Sequence, residues 1–260
     1  MPATGKAIRG TARSSGAEAS GSLTKRHPIR CVAIWTSPPW KSHADVKFTL
    51  SEKDGGTEAV WSMDSKLPFI MFWMKKMMTA MIGMDYSRGL LMLKDYIETG
   101  DSQSKLSFGG ATFSGFHYIG KTSTCATDAI GPTMGADLAR LKEWAGGAGI
   151  EPVGVPLTIY HKWDIVNGTA RYTSAIPVAE LPEDLPSDLV SGDLPEMKTY
   201  AITHTGPYRH LGNAWSAGIM HGRARQYAQR SGIHPFETYE NSPDDVDERE
   251  LITVVHFPVK

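Results

Sequence analysis

Between Val46 and Leu50 apolar and polar residues alternate, the period of a strand with one buried face. Asp54-Gly55-Gly56 follows as a turn signal, and Thr57 to Met63 alternates again, so the stretch predicts a β-hairpin. Pro68 opens a helical pattern running to Glu98, with a break expected at Gly83. Its later half sets Leu90, Leu91, Leu93, Tyr96 and Ile97 beside Arg88, Lys94, Asp95 and Glu98, as an amphipathic helix would.

Beyond Ala111 the pattern repeats. Phe116 to Lys121 and Lys198 to His204 each read as a strand. Each leads into a helical stretch, roughly Ile130 to Ala145 in one copy and Leu211 to Gln229 in the other. Both copies then reach Gly-Ile, at Gly149-Ile150 and Gly232-Ile233, with glycine where a helix end favours positive φ. A strand holding Thr158-Ile159-Tyr160, or Glu237-Thr238-Tyr239, comes next. Each copy closes on a strand ending in Pro-Val, at Pro177-Val178 and Pro258-Val259. A strand-helix-strand-strand module therefore occurs twice. Two such modules can pair edge to edge and hide edges that would otherwise aggregate. Helices are expected on one face of the joint sheet, with a groove at the pseudo-twofold axis on the other.

Composition narrows the classes. With 41% hydrophobic and 21% charged residues over 260 positions, the chain has ordinary globular make-up. Lys plus Arg (27) against Asp plus Glu (28) leaves a net charge of -1, so no overall basic field would hold nucleic acid. Two cysteines, Cys31 and Cys125, cannot build a zinc cluster or a disulfide scaffold. No apolar run reaches the roughly eighteen residues of a membrane span.

Charge is uneven along the chain. Lys6, Arg9, Arg13, Lys25, Arg26, Arg30 and Lys41 face the single acid Glu18 in a Gly-, Ser- and Ala-rich opening. Residues 1–29 are read as a disordered basic leader. The expected setting is cytoplasmic, or organellar if that leader is a transit peptide. Eight of the twelve methionines fall between Met63 and Met92, a soft filling for a helix–sheet core or an adaptable binding surface.

Two resemblances follow from these stretches. Thr57 to Trp61, Met84 to Leu90 and Leu93 to Glu98 resemble the C-terminal part of the polyketide-cyclase-like, START-related (SRPBCC) domains. The resemblance implies a curved antiparallel sheet wrapping a long helix, here partial and confined to residues 30–100. Residues 101–110 read as a polar linker. The doubled region, residues 111–260, resembles the GyrI-like domains that also serve as effector-binding modules of AraC-type and multidrug-sensing regulators. Its marks are Pro156 to Asp164, Thr205 to Gly212, the nearby Trp215, and Phe236 to Tyr239. The fold class expected is α+β: duplicated modules in one antiparallel sheet, plus a START-like helix-grip segment.

Strand alternation puts Glu237 and Tyr239 on one face and Thr238 on the other, and the repeat puts Thr158 and Tyr160 on the matching face. The resemblance implies that this face lines the groove and that Glu237 contacts ligand. A carboxylate among Tyr160, Tyr208, Trp215 and Tyr239, with Trp163 nearby, suits an aromatic, hydrophobic or cationic small molecule. Trp163 and Trp215 could equally be core residues, Tyr208 a packing residue at a helix start, and Glu237 a solvated strand end. The histidines His117, His161, His204, His210 and His221 show no metal spacing, and no metal or cofactor is expected.

The resemblance therefore implies small-molecule binding by a sensor or sequestering protein. A protein partner is compatible with it, and no direct contact with DNA or membrane is expected. The alternative is hydrolysis of strained, cyclopropane-type natural products, with Glu237 activating water. A third reading is lipid handling in a cavity bounded by Trp61, Phe72 and Met92.

Overall fold

The computed structural model describes residues 8–12, 29–37, 40–66 and 69–260, and the side chains of 44–66, 69 and 71–260. The chain divides into two compact units, Met1–Ser102 and Gln103–Lys260.

In the first unit the described strands are β1 (Ile8–Ala12), β2 (Ile29–Ser37), β3 (Trp40–Lys53) and β4 (Gly56–Ser65), in the antiparallel order β1-β4-β3-β2. The expected hairpin is β3–β4. Asp54 (φ 52°) and Gly55 (φ 73°) both take the left-handed conformation, the pair of angles that fits a two-residue turn to the twist of its strands. Residues 8–12 belong to the stretch read as a disordered leader, yet they form β1 against β4. The remainder of residues 1–28 lies outside the described residues.

A short 3-10 turn, Phe69–Met74, leads into α1 (Lys75–Thr99), which ends at Gly100 with φ 81°. No break occurs at Gly83. One glycine costs only about 1 kcal/mol in a helix interior and does not end it. Gly89 matters more: a Cβ there would come within 2.8 Å of the Trp61 ring, which stacks on Tyr86 at 4.2 Å. Leu90 is buried, but Leu93, Tyr96 and Ile97 are exposed, so the expected apolar stripe is covered only in part. Phe72 is 66% exposed, while Trp61 and Met92 are half-buried.

The expected linker is largely strand. Lys105–Phe113 forms β5, paired along its length with β10 (Met197–Thr205). Module one is β6 (Phe116–Ala126), α2 (Ile130–Ala148), β7 (Leu157–Asp164) and β8 (Thr169–Val178). Module two is β10, α3 (Gly212–Arg223), β11 (Phe236–Tyr239) and β12 (Ile252–Pro258). With β9 (Val190–Leu194) they make one eight-stranded sheet ordered β5-β10-β12-β11-β7-β8-β6-β9. The inner six strands read β10-β12-β11 and then β7-β8-β6, each module mirrored through the β11–β7 contact, with β5 and β9 closing the outer sides. Helix α2 ends at Gly149 (φ 69°) as expected, whereas α3 stops at Arg223, short of Gln229.

Both helices lie on the face that carries Glu237. Ala214 of α3 packs with Val255, Phe257 and Ile202, and Leu141 and Ala145 of α2 pack with Ile119, Ile176 and Val178. The opposite face holds Leu157, Ile159, Ala175 and Phe236 over Leu194 and Met197. The groove was expected on the helix-free face. That face is a packed core, and the site residues sit on the helix-covered face.

Candidate functional site between the two helices

The central contact of the sheet pairs Glu237 directly with Thr158, flanked by Phe236 with Ile159 and Thr238 with Leu157. Since the repeat makes Glu237 the counterpart of Thr158, the pseudo-twofold axis passes between these two residues.

Glu237 is 1% exposed, which removes the solvated strand-end reading. Its Oε1 accepts from the Tyr160 hydroxyl at 2.8 Å and the Tyr239 hydroxyl at 2.6 Å, and its Oε2 accepts from Trp215 Nε1 at 2.8 Å. Burial raises the carboxyl pKa above its ordinary value, opposed by the bonds from Tyr239, Trp215 and Tyr160. Burial, and the nearby carboxylate, hold Tyr160 and Tyr239 well above the usual phenol range. Both tyrosines therefore remain neutral donors aimed at one acceptor.

Trp215 of α3 packs against the core and also bonds the carboxylate. Its ring meets Tyr160 edge-on at 4.8 Å and Phe257 at 5.5 Å, while its N–H reaches the carboxylate. Thr158 is fully buried; its Oγ1 lies 3.1 Å from the Tyr239 hydroxyl and 3.4 Å from Met134 Sδ. Tyr239 also lies 2.8 Å from that sulfur.

Tyr208 and Trp163 stand farther out. Tyr208, 38% exposed, sits in a 3-10 turn just before α3, its ring edge-on to Tyr239 at 5.8 Å. The turn depends on Gly206, whose φ is 137° and whose Cβ, if present, would fall 2.1 Å from the Gln103 carbonyl oxygen. Trp163, 44% exposed, has its ring 5.9 Å from that of Tyr160. A β-bulge between Tyr160 and Lys162 brings it there: pairing runs Tyr160 with Tyr172, then Lys162 with Arg171 and Trp163 with Ala170. The extra residue turns Trp163 to the face of Tyr160, where strict alternation would have turned it away.

Sequence reasoning passed over Met134. The methionine cluster drew notice to residues 63–92, whereas the methionine at this site lies alone on α2. Setting α2 against α3 in the repeat would have found it, because Met134 meets Thr158 as Trp215 meets Glu237. A shallow, open concavity of about 390 Å³ lies along the β5–β10 edge, between Thr112, Lys198 and Tyr227. Nothing there matches the buried carboxylate and its three donors. Among the described residues no group of three or more His, Cys, Asp or Glu is placed to hold a metal ion, and no helix is long and apolar enough to cross a membrane.

Comparison with known proteins agrees with this architecture. A solved complex of EcmrR with DNA is similar at 15% identity, covering 75% of this chain and 73% of that one, with a TM-score of 0.51. SAV2435 bound to tetraphenylphosphonium shares 14% identity over 59% of this chain and 94% of that one, at a TM-score of 0.45. A hydrolase from Listeria innocua shares 9% over 59% and 92%, at 0.39. No curated protein matches the sequence. The GyrI-like small molecule binding domain matches residues 111–260, more than half of the chain and all of the doubled region. The protein belongs to the GyrI-like small molecule binding domain family.

Proposed function

We propose that the cleft between α2 and α3 binds a small hydrophobic, aromatic or cationic molecule, and that the protein acts as a sensor or sequestering agent. One observation carries the reading: a buried carboxylate, Glu237, held by Tyr160, Tyr239 and Trp215 inside an aromatic wall. Three aimed donors keep that acid able to ionise where water is scarce, and a cation entering there meets a charge that solvent does not screen. Aromatic rings around it add cation–π attraction of about 0.5–2 kcal/mol. Tyr208 and Trp163, half out in solvent at the rim, serve as outer stacking surfaces.

The test is titration of the full chain with lipophilic aromatic cations, rhodamine-type dyes among them. Micromolar binding is expected, with a loss of about thirtyfold or more in Glu237→Gln, since one partner of a buried ion pair is removed. No binding tighter than about millimolar across a broad panel would end the proposal.

A second reading rests on the same carboxylate. Burial raises the Glu237 pKa in the direction a general base needs, so water activated there could open a strained cyclopropane-type ring. Turnover separates the two: ligand returned chemically unchanged after long incubation removes the hydrolytic reading for that compound. The START-like reading of the first unit is a separate proposal, supported by a long helix, Lys75–Thr99, following an antiparallel sheet.

A further inference from the structure

The module-one half of the cleft holds an acid of its own. Met134, Asp137, Leu141 and Ala145 are the buried positions of α2, three and four residues apart, so all four share the face turned to the sheet. Asp137 is 3% exposed. Ser123 of β6 bonds it, yet its Oδ2 is buried with no hydrogen-bond partner. Burial raises its pKa above the ordinary carboxylate value, opposed by the Ser123 bond and the Lys121 charge. Lys121 does not close on it: its ammonium lies 3.4 Å from Asp188, which Arg140 also holds at 3.3 Å. A buried acid with an unbonded oxygen is costly unless a donor or a cation reaches it.

Asp137 and Glu237 stand at the two ends of one wall. Across β11, β7, β8 and β6 the helix-covered face carries Glu237, Thr158, Ser174 and Lys121 in one row. The neighbouring row carries Tyr160, Tyr172 and Ser123. Tyr160 donates to Glu237, and its ring lies 6.0 Å from that of Tyr172. Burial first, then Cys125 and the Asp137 charge, hold the fully buried Tyr172 above the usual phenol range. Two rings thus lead from one acid to the other. Ser174, in the row between, is buried and its hydroxyl has no hydrogen-bond partner. Three strand spacings separate β11 from β6, which puts the two acids on the order of 14 Å apart.

We infer that Asp137 forms a second acidic subsite of the cleft, and that the protein takes an elongated aromatic dication with one positive centre at Glu237 and the other at Asp137. This rests on the binding function proposed above and narrows its ligand. A monocation leaves one buried acid without a counter-charge, whereas a dication of matching length meets both. The Tyr160 and Tyr172 rings line the span between the two charges, where an aromatic linker would stack.

The experiment titrates the full chain with two aryl probes of one length: a bis-phosphonium with its charges about 14 Å apart, and a monophosphonium whose far end is an uncharged aryl group. Wild type is expected to bind the dication about tenfold more tightly or better. Asp137→Asn keeps the shape and removes the charge, and is expected to erase that preference. Lys121→Met removes the cation nearest the subsite, so it reads the same acid with the opposite sign and serves even if Asp137→Asn fails to fold. It is expected to raise the preference about threefold, as expected for one nearby charge at partial exposure. A dication that binds wild type no more tightly than the monocation overturns the second subsite while leaving the binding function standing. Affinities for both probes that fall together in Asp137→Asn make Asp137 a structural acid and overturn it too, as does a preference unchanged in Lys121→Met. A wild type that binds neither probe overturns the binding function itself.

Discussion

Strands β11 and β12 bury an ionisable group on each face of the sheet, and the two are treated in opposite ways. On the helix-covered face Glu237 receives three donors, all favouring the charged form that burial disfavours. On the helix-free face His256 lies stacked on Phe236 at 4.7 Å with Phe113 edge-on at 5.5 Å, and burial pushes its pKa down to about 4. Thr199 Oγ1 and Thr238 Oγ1 stand 3.1 and 3.2 Å from its two nitrogens. Because Thr238 donates its proton to Glu240, its oxygen is left to accept, which assigns the histidine proton to Nε2 and the acceptor role to Nδ1. That face is satisfied with its group neutral. The other is a contest between desolvation and aimed donors, the condition in which an incoming charge changes the balance.

The largest effect expected lies on the satisfied face. Phe236 is fully buried, so Phe236→Ala should cost about 3–5 kcal/mol in urea unfolding. A cost under about 1 kcal/mol would mean that this face is not the packed half of the molecule. Acid comes next. In the unfolded chain a histidine takes its proton near 6.5, while His256 in the folded chain stays neutral to about 4. Its contribution is complete above pH 6.5 and is lost as pH falls from 6.5 to 4, by up to about 3 kcal/mol. His204, also pushed down to about 4, adds to the same slope, so the variant curve isolates His256. His256→Gln should remove its share of the acid sensitivity; an unchanged slope would break the contrast.

Glu237 has the reverse sign. Its folded pKa is raised, so as pH climbs past the ordinary carboxylate range the unfolded chain loses a proton that the folded chain retains, and stability falls. Glu237→Gln should flatten that decline. Measured beside His256→Gln over one pH series, the two variants should change the stability curve on opposite sides. Equal slopes before and after substitution at Glu237 would mean that the three donors cancel the burial in full.

The doubled architecture was legible because each module carries its own period-2 and helical signals in one order, and the equivalence of Glu237 with Thr158 follows from the repeat. Which face the helices cover was not legible. Alternation puts Glu237 and Tyr239 together but is silent on where α2 and α3 cross the sheet, since both faces of β7 and β11 are buried and apolar residues occur at both parities. Residues 105–110, Gly109-Gly110 among them, looked like a linker because β5 lies at the sheet edge and exposes much of its length, which permits small polar residues in a strand. Trp163 was named for its neighbours in the motif, yet its position depends on a bulge, and one added residue in a strand leaves no mark in a hydrophobic pattern.

That bulge supports the smallest effect. Trp163 is 44% exposed and touches the aromatic wall only through Tyr160, so Trp163→Ala should change stability by no more than about 0.5 kcal/mol. If the ring forms the rim of the cleft, affinity for an aromatic cation should still fall about threefold, near the lower end of the cation–π range. Affinity for a small alkylammonium too short to reach the rim should not move. A loss of several kcal/mol in stability would instead make Trp163 a core residue, and the helix-covered face would then be as closed at its edge as the helix-free face is throughout. Deleting His161 gives the complementary check, since without the extra residue Tyr160, Lys162 and Trp163 alternate strictly and Trp163 keeps the face of Tyr160. The aromatic-cation affinity should then stay close to that of the wild type, and a fall as large as in Trp163→Ala would mean that the bulge itself positions the ring.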